Sequence, residues 1–370
     1  MGGSTTSNTY NFMAMGLNPI VDDEMVKGRV LPTIFPTVSS FESGDEIKEE
    51  EDKGNMGTST DVRDIDRTDT DTAPSWENKL RLNEEFIDMA YMMLGAYDEP
   101  VPAVTGATTA KKWRFYKDEV NKKPLPMATI LQGMNVAGAK PEAFIECVMN
   151  TLNLTFDTDK TPSYKADSIS NYPWQNQAEP SIVTPSGTEY KIKAGQTSIY
   201  LGNVGDALSA LKVDANKIDC YLEANTEMSN NLEASACGGG DFGDKNKDEG
   251  GFTNKGKLKM NFNDYTMNLK ALVATGSTTG EKVSQESVYR QMYIESLGKT
   301  IETVSGQPVR CSVGVLLPKV KLSQPTRSRS GSDKATVEME FQTVANGLNS
   351  PVEIYVVTPT DELHWGTVPS

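Results

Sequence analysis

One histidine and four cysteines are all that this 370-residue chain offers to chemistry that needs imidazole or thiolate. The histidine, His364, stands close to the last residue, Ser370. A Ser-His-Asp, Cys-His or histidine-metal site would have to be assembled around it. It is therefore read as a polar side chain near a mobile end. Cys147, Cys220, Cys237 and Cys311 are far apart and lack the close pairs of a zinc knuckle. They are read as buried thiols. No apolar run approaches the roughly 18 residues of a membrane-spanning helix. The first residues, Met1 to Ser7, hold neither a basic nor an apolar leader segment, so no secretory signal is expected. The glycine-rich phosphate loops and the Gly-x-Ser-x-Gly nucleophile turn are absent too. Basic residues are in deficit: Lys plus Arg is 36 against 51 Asp plus Glu, a net charge of -15. That argues against gripping duplex DNA through a basic face. It is compatible with enclosing a polyanion without holding it.

What is present is enough for about two domains at roughly 150 residues each, or for one domain with large insertions, and for a core that needs no staples. Between residues 42 and 71 lie 12 acids and 4 bases, a net -8 that is more than half of the whole excess. Few apolar groups there offset chain entropy and like charges repel, so residues 39–74 are read as a solvated acidic loop. One helix is predicted over 84–94. Asn83 is a fair N-cap, Glu84 and Glu85 suit the positive helix end, and Gly95 supplies the stop. Phe86, Ile87, Ala90, Met93 and Leu94 recur near a 3.6-residue period, and the stripe Met89, Met92 and Met93 is expected to pack against a sheet and not to form a ligand groove.

From about residue 125 the period changes to two. Ala143, Ile145, Cys147 and Met149 share one parity, and Leu152, Leu154 and Phe156 take the other. A bulge or tight bend near Asn150 reconciles them. Leu258, Met260 and Phe262, then Tyr265, Met267, Leu269 and Ala271, read as a strand pair about Asn263-Asp264. Val309 to Leu317 is the longest clean alternation, ended by Pro318 and resumed by Val320 and Leu322. Residues 284–296 read equally as helix or strand. About nine strands and one firm helix indicate a mainly β fold, a sandwich or barrel. The Ser/Thr/Asn/Gly/Pro-rich residues 160–215 look like an inserted outer domain. Residues 1–38 read as an arm and 359–370 as a tail, leaving 75–159 and 216–358 as the β core.

Asp244, Asn246 and Asp248 begin a calcium-loop pattern, but Glu249 stands where glycine is needed and Lys255 where the closing glutamate belongs. A solvated hairpin loop is expected instead. The stretch Gln324 to Lys334 joins two strong strands and carries Arg327 and Arg329. In so acidic a chain this tip suits an acidic partner, and another copy of residues 42–71 is one. Long alternating strands leave sheet edges to be managed. Closure into a ring with further copies would manage them.

Three segments resemble the tail tube (major tail) proteins of long, flexible-tailed bacteriophages. They are Ala73 to Gly95, with Ala73-Pro74-Ser75-Trp76 ahead of the helix; Glu146 to Phe156; and Val313 to Val357, with Leu317-Pro318-Lys319-Val320-Lys321-Leu322, the Thr326–Ser332 tip and Val337-Glu338-Met339-Glu340-Phe341. Together they span about a fifth of the chain, and their order carries the resemblance. It implies a tail-tube-like β-sandwich with a flanking α-helix and a loop-rich insertion. Six copies would close into a ring with an inner β-barrel. Rings would stack around a tape measure protein, between a tail terminator and a baseplate or initiator, and viral DNA would pass through without specific binding. Neither catalysis nor a cofactor nor a metal is implied. The setting would be the virion tail, after assembly in the host cytoplasm. The acids Glu49, Glu50, Glu51, Asp52, Asp64 and Asp66 would line the lumen or touch the next ring. Arg327 and Arg329 would lie at a subunit or ring contact, because cations in a conduit would hold phosphate. Other readings stay open: a secretion-tube or other virion assembly subunit, an extracellular carbohydrate-binding module using Trp174, Tyr172, Trp113 and Tyr116, or a paired-carboxylate hydrolase, for which no acid pair stands out.

Overall fold

The computed structural model describes residues 11–21, 24–34, 39–52, 64–80, 85–121, 123–134, 140–178, 192–218, 221–236, 245–280, 282, 284, 287–328, 335–345, 347 and 349–368. The chain opens with β1 (Asn11–Leu17), β2 (Ile20–Val21), β3 (Glu24–Met25), β4 (Ser40–Glu42), β5 (Asp45–Asp52), β6 (Asp64–Thr72) and β7 (Ser75–Lys79). Helix α1 (Glu85–Leu94) follows, then β8 (Gly95–Pro102), β9 (Lys111–Lys117), β10 (Met127–Met134), β11 (Glu142–Asp157), β12 (Ser163–Ile169) and β13 (Ile192–Gly202). After the short α2 (Leu208–Leu211) come β14 (Tyr221–Ser229), β15 (Glu233–Ala236), β16 (Lys245–Asp248) and β17 (Thr253–Asn261). Helix α3 (Asp264–Thr275) precedes β18 (Tyr289–Val304), β19 (Gln307–Leu322), β20 (Thr326–Ser328), β21 (Thr336–Thr343) and β22 (Glu353–Thr358). The fold is mainly β.

Sixteen strands share one hydrogen-bonded sheet, whose longest path runs β4-β7-β12-β11-β14-β17-β21-β19-β22-β9-β8. Two strands of 16 residues organise it. β11 pairs with β10 up to Val148 and with β14 from Thr151 onward. β19 pairs with β22 through Leu316 and with β21 from Val320. Each exchange of neighbours is written in the sequence. At the first, the β11–β12 register slips between Met149 and Thr151, and buried side chains change from Cys147 and Met149 to Leu152, Leu154 and Phe156. This is the bulge that the parity switch at Asn150 predicts. At the second sits Pro318. The alternation was expected to break there and to resume with Val320 and Leu322, and β19 runs through the proline to Leu322 as one strand. The proline falls in the gap between two neighbours and opposite a register slip in β18, where its missing N–H has no partner to lose.

The helix forms where expected and Gly95 follows it at φ 80. It is not a flanking helix, which corrects that expectation. Every residue from Phe86 to Leu94 is buried, against β8, β9 and β11. A helix apolar on nearly all sides belongs inside a core, and Phe86→Ala would cost about 3–5 kcal/mol there. The one charge in that stretch, Asp88, is fully buried and accepts from the His364 backbone N–H at 3.0 Å. Its second oxygen lies 2.8 Å from His364 Nδ1. His364 is therefore anchored, not mobile. Its neighbours Leu363 and Trp365 close over the helix, Trp365 edge-on to Tyr91 at 5.9 Å. The same segment ladders onto the beginning of the chain, with Leu17 N–H to His364 O at 2.9 Å and Leu31 N–H to Thr367 O at 2.7 Å. The described parts of 1–38 and 359–370 are thus sheet and lid, not arm and tail.

Three further expectations change, and the open reading of 284–296 resolves to strand from Tyr289. Residues 263–275 turn into a helix instead of a strand. Asn263 accepts from Thr266 N–H, Thr266 Oγ1 accepts from Asn263 N–H, and Gly276 ends the helix at φ 78. The 160–215 segment does not stand apart, because β12 lies between β7 and β11 and β13 pairs with β18. The acidic stretch 39–74, expected as a loop, forms strands β4, β5 and β6 where it is described. Hairpin hydrogen bonding is local, so it needs little core of its own.

Candidate assembly surfaces

The acidic strands make one ribbon. β4 pairs with β7, Glu42 opposite Ser75. Gly44 turns the chain at φ 58, where an L side chain would also run into Ala73. Ala73 N–H donates to Gly44 O at 3.2 Å, and the ladder resumes with Asp45 opposite Thr72. It continues to Asp52 opposite Asp64. Beyond the sheet, β5 and β6 pair only with each other among the described residues. Eight residues at about 3.3 Å each carry this extension roughly 26 Å. Ser170 N–H fastens its base at Thr72 O, 3.2 Å away, where Thr70 and Thr72 are buried.

Register sorts the charges along the ribbon. Near the base Glu46 stands opposite Asp71, and at mid-ribbon Lys48 stands opposite Asp69 and Glu49 opposite Arg67. Further out, Glu50 stands opposite Asp66 and Asp52 opposite Asp64. Like charges at facing positions oppose pairing by some tenths of a kcal/mol each. The outer half is therefore the strongly negative end, and its field reaches about 8 Å at physiological salt. The structure describes backbone register for Glu49, Glu50, Glu51, Asp52, Asp64 and Asp66, and that is what brings them onto one ribbon.

Arg327 lies elsewhere. It is exposed on β20, which pairs with β21, and its guanidinium covers the Phe262 ring at 4.2 Å. An aromatic shelf fixes a planar cation without consuming its edge donors. Arg329 lies outside the described residues. Between β4 and β21 stand β7, β12, β11, β14 and β17. Six inter-strand steps at about 4.8 Å make some 29 Å of sheet, measured along its surface, from β4 to β21, and β20 with Arg327 is one pairing further. In strand order the acidic ribbon and Arg327 belong to opposite parts of the sheet. Head-to-tail copies could bring them together.

The sheet's edges are unequal. β8 carries Pro100 and Pro102, which cannot donate to an added strand. β1 is bridged by Ile34 and Trp365 segments. β13 has β18 on one side and a single Tyr200–Lys217 bridge on the other, with exposed residues 193–196 and Gly195 at φ 70. β4 and β13 are the less protected edges.

Chemistry-bearing groups elsewhere are used for cohesion. Arg114 makes two hydrogen bonds to Glu353, at 2.9 and 2.7 Å, and a third to Asp98 at 2.9 Å. Tyr355 O–H donates to Glu353 at 2.6 Å. Burial pushes the Glu353 carboxyl up, but the Arg114 and Tyr355 hydrogen bonds outweigh it and hold the group below its ordinary range. Glu302 sits in a nest of backbone donors from Thr108, Thr109 and Ala110, at 3.2, 3.0 and 2.6 Å. Ala110 N–H leads in holding its carboxyl low. Among the described residues no His/Cys/Asp/Glu group has metal-binding geometry. In the calcium-like stretch, Asn246 Nδ2 donates to Asp248 and the segment is strand β16; Asp244 lies outside the described residues. A groove of about 460 Å³ crosses β14, β17 and β21, where Lys255, Lys257 and Lys321 are largely offset by Glu227 and Glu340. The four aromatics do not form a sugar platform: Trp113 is buried and stacked on Phe115, while Trp174 is 52% exposed. The sequence reading missed three polar clusters: Asp88 with His364, the Glu302 nest, and Glu146 with Asn171 and Lys247. Only folding brings these distant residues together, and no local pattern marks them.

No family model matches the sequence, and no curated protein matches it.

Proposed function

We propose that this chain is a structural subunit that assembles with copies of itself into a phage tail tube. The observation that carries the reading is the acidic ribbon running on from the sheet edge, distant on the same sheet from the exposed Arg327. In a heterologous contact the ribbon of one copy meets the basic corner of the next, and rotational closure turns that contact into a ring. Rings would stack around a tape measure protein, and a lumen of net negative charge would let DNA pass without adhesion. The β-sandwich with an inner barrel, the sixfold ring and the terminator and baseplate partners come from the resemblance of the three segments. The subunit needs no catalytic residue and no cofactor.

Size-exclusion chromatography followed by negative-stain electron microscopy of the purified chain tests this. Rings or hollow tubes support it. A monomer that stays dispersed at high concentration and with a tape measure fragment added overturns it. A secretion-tube subunit would give similar rings and be separated by its neighbouring genes. The exposed Trp174 favours one second reading, carbohydrate binding, and a glycan array with W174A as control decides it.

A further inference from the structure

Glu146, Asn171 and Lys247 meet where no assembly feature lies. The Lys247 side chain on β16 is 6% exposed, and its Nζ donates to Asn171 Oδ1 at 2.7 Å. Glu146 Oε2 is 3.9 Å from that amine and accepts from Asn171 Nδ2 at 3.4 Å. Lysine has only donors, so the carboxamide must turn its oxygen to Lys247 and its nitrogen to Glu146. The groups are held from several sides. Glu146 Oε1 accepts from Gly28 N–H at 2.8 Å, and Asn171 N–H donates to Ile145 O at 3.1 Å. Glu146 itself sits at φ 53, a left-handed conformation that a non-glycine residue keeps only when its surroundings impose it. Around them Cys147, Ser168 and Ser170 are buried.

We propose that Lys247 and Asn171 join in an intramolecular isopeptide bond, with Glu146 as the proton carrier. The arrangement holds an amine, a carboxamide and a carboxyl group in mutual contact, so the reaction is intramolecular and little solvent competes. Transfer of one proton from the Lys247 ammonium to the Glu146 carboxylate gives a neutral nucleophile and an acid together. Nζ adds to Cγ of Asn171, and the Nζ–Cγ bond forms. Glu146 protonates Nδ2 and takes a proton from Nζ. The Cγ–Nδ2 bond breaks, nitrogen leaves as ammonia, and an amide remains. Nothing is oxidised or reduced and no co-reactant enters. The bond closes 76 residues of chain. It ties the β15–β16 hairpin, which pairs with no strand of the large sheet among the described residues, to the segment that follows β12. Cys147 and Cys311 are unbridged, so this link would do the work of a staple. It is independent of the tube reading.

Intact-mass spectrometry of the purified full chain should show a loss of about 17 Da, one ammonia, against the sequence mass. A protease digest should yield a branched peptide joining Lys247 to Asn171. The E146Q and K247R variants should keep the full mass while retaining the parent's circular dichroism. The wild-type digest needs no variant to fold. Full mass in the wild type after prolonged warming at neutral and mildly alkaline pH overturns the proposal. So does a 17 Da loss carried by a linear peptide, which is succinimide formation at asparagine.

Discussion

Asn230 is the polar hub of the core, and its replacement is the sharpest test of the fold's energetics. Its side chain is fully buried. Nδ2 donates to Met93 O at the end of α1, 3.1 Å away, and to Met149 O beside the β11 bulge, 3.0 Å away. Oδ1 accepts from Lys117 Nζ at 3.3 Å. The Met93 carbonyl is one of the groups that a helix end leaves unpaired, and a bulge leaves a similar gap in a ladder. Asn230→Ala strands both carbonyls. Each buried acceptor left unpaired costs about 1–3 kcal/mol, so the ceiling is about 6 kcal/mol. The vacated space is polar enough for a water that restores part of this. We expect about 3 kcal/mol of destabilisation. Asn230→Leu separates the causes: it keeps most of the volume but none of the hydrogen bonds, and should be no better than alanine. The assay is urea unfolding followed by tryptophan fluorescence, with the midpoint compared at unchanged slope. A loss under about 0.5 kcal/mol, the range of an ordinary surface substitution, would refute the hub. A leucine variant as stable as the parent would show that packing, not hydrogen bonding, is what Asn230 supplies.

Glu302 gives a pH dependence of definite sign. Its carboxyl is held low in the fold, so the nest contributes above the ordinary glutamate value near 4.3 and loses that contribution as pH falls through the lower, folded value. The protection factors of the Thr108, Thr109 and Ala110 amides, exchange rates corrected for the intrinsic pH dependence, should therefore fall on acidification, and E302Q should abolish that response; an unchanged profile in the variant counts against the nest. Burial pushes the Cys147 thiol up to about 12 and Cys311 to about 11. Peptides bearing either should stay unalkylated in the native protein near neutral pH and label fully in denaturant, and rapid native labelling would contradict their burial. R327E combined with R329E should slow tube formation several-fold, with no change in thermal melting. Normal polymer yield, read by light scattering, would remove these arginines from the contact.

The parts of the fold legible beforehand are those where one local signal stands unopposed. Gly95 after an apolar period marks the end of α1, and the parity change across Asn150 locates the bulge. Where two local signals compete, the weaker-looking one can win. Tyr265, Met267, Leu269 and Ala271 alternate like a strand, yet the Asn263–Thr266 box starts a helix, and Met267 is 55% exposed as a result. Composition misled in two places. Few apolar residues in 39–74 pointed to a loop, but the cross-strand register of a hairpin asks for pairing, not for a core. Ser and Thr in 160–215 pointed to loops, although threonine is a good strand residue. The candidate contact was half legible. Charge counting located the acids and Arg327, but their placement on distant strands is a property of sheet order. The Glu146, Asn171 and Lys247 cluster was invisible because its members lie on three separate elements.

The lid over α1 also orders events during synthesis. β1 and the segment of Leu31 receive their backbone partners from residues 364–367, almost the whole chain later. While the ribosome is still extending the polypeptide, one side of β1, the Asp88 carboxylate and the upper surface of Tyr91 wait uncovered. Domains usually fold as they emerge; this one cannot finish until residues 363–367 are free of the exit tunnel. A nascent chain stalled before residue 363 would hold a nearly complete sheet with an open strand flank and a buried-to-be charge still in water. That combination delays consolidation and, in a crowded polysome, gives neighbouring nascent copies their earliest chance to pair wrongly.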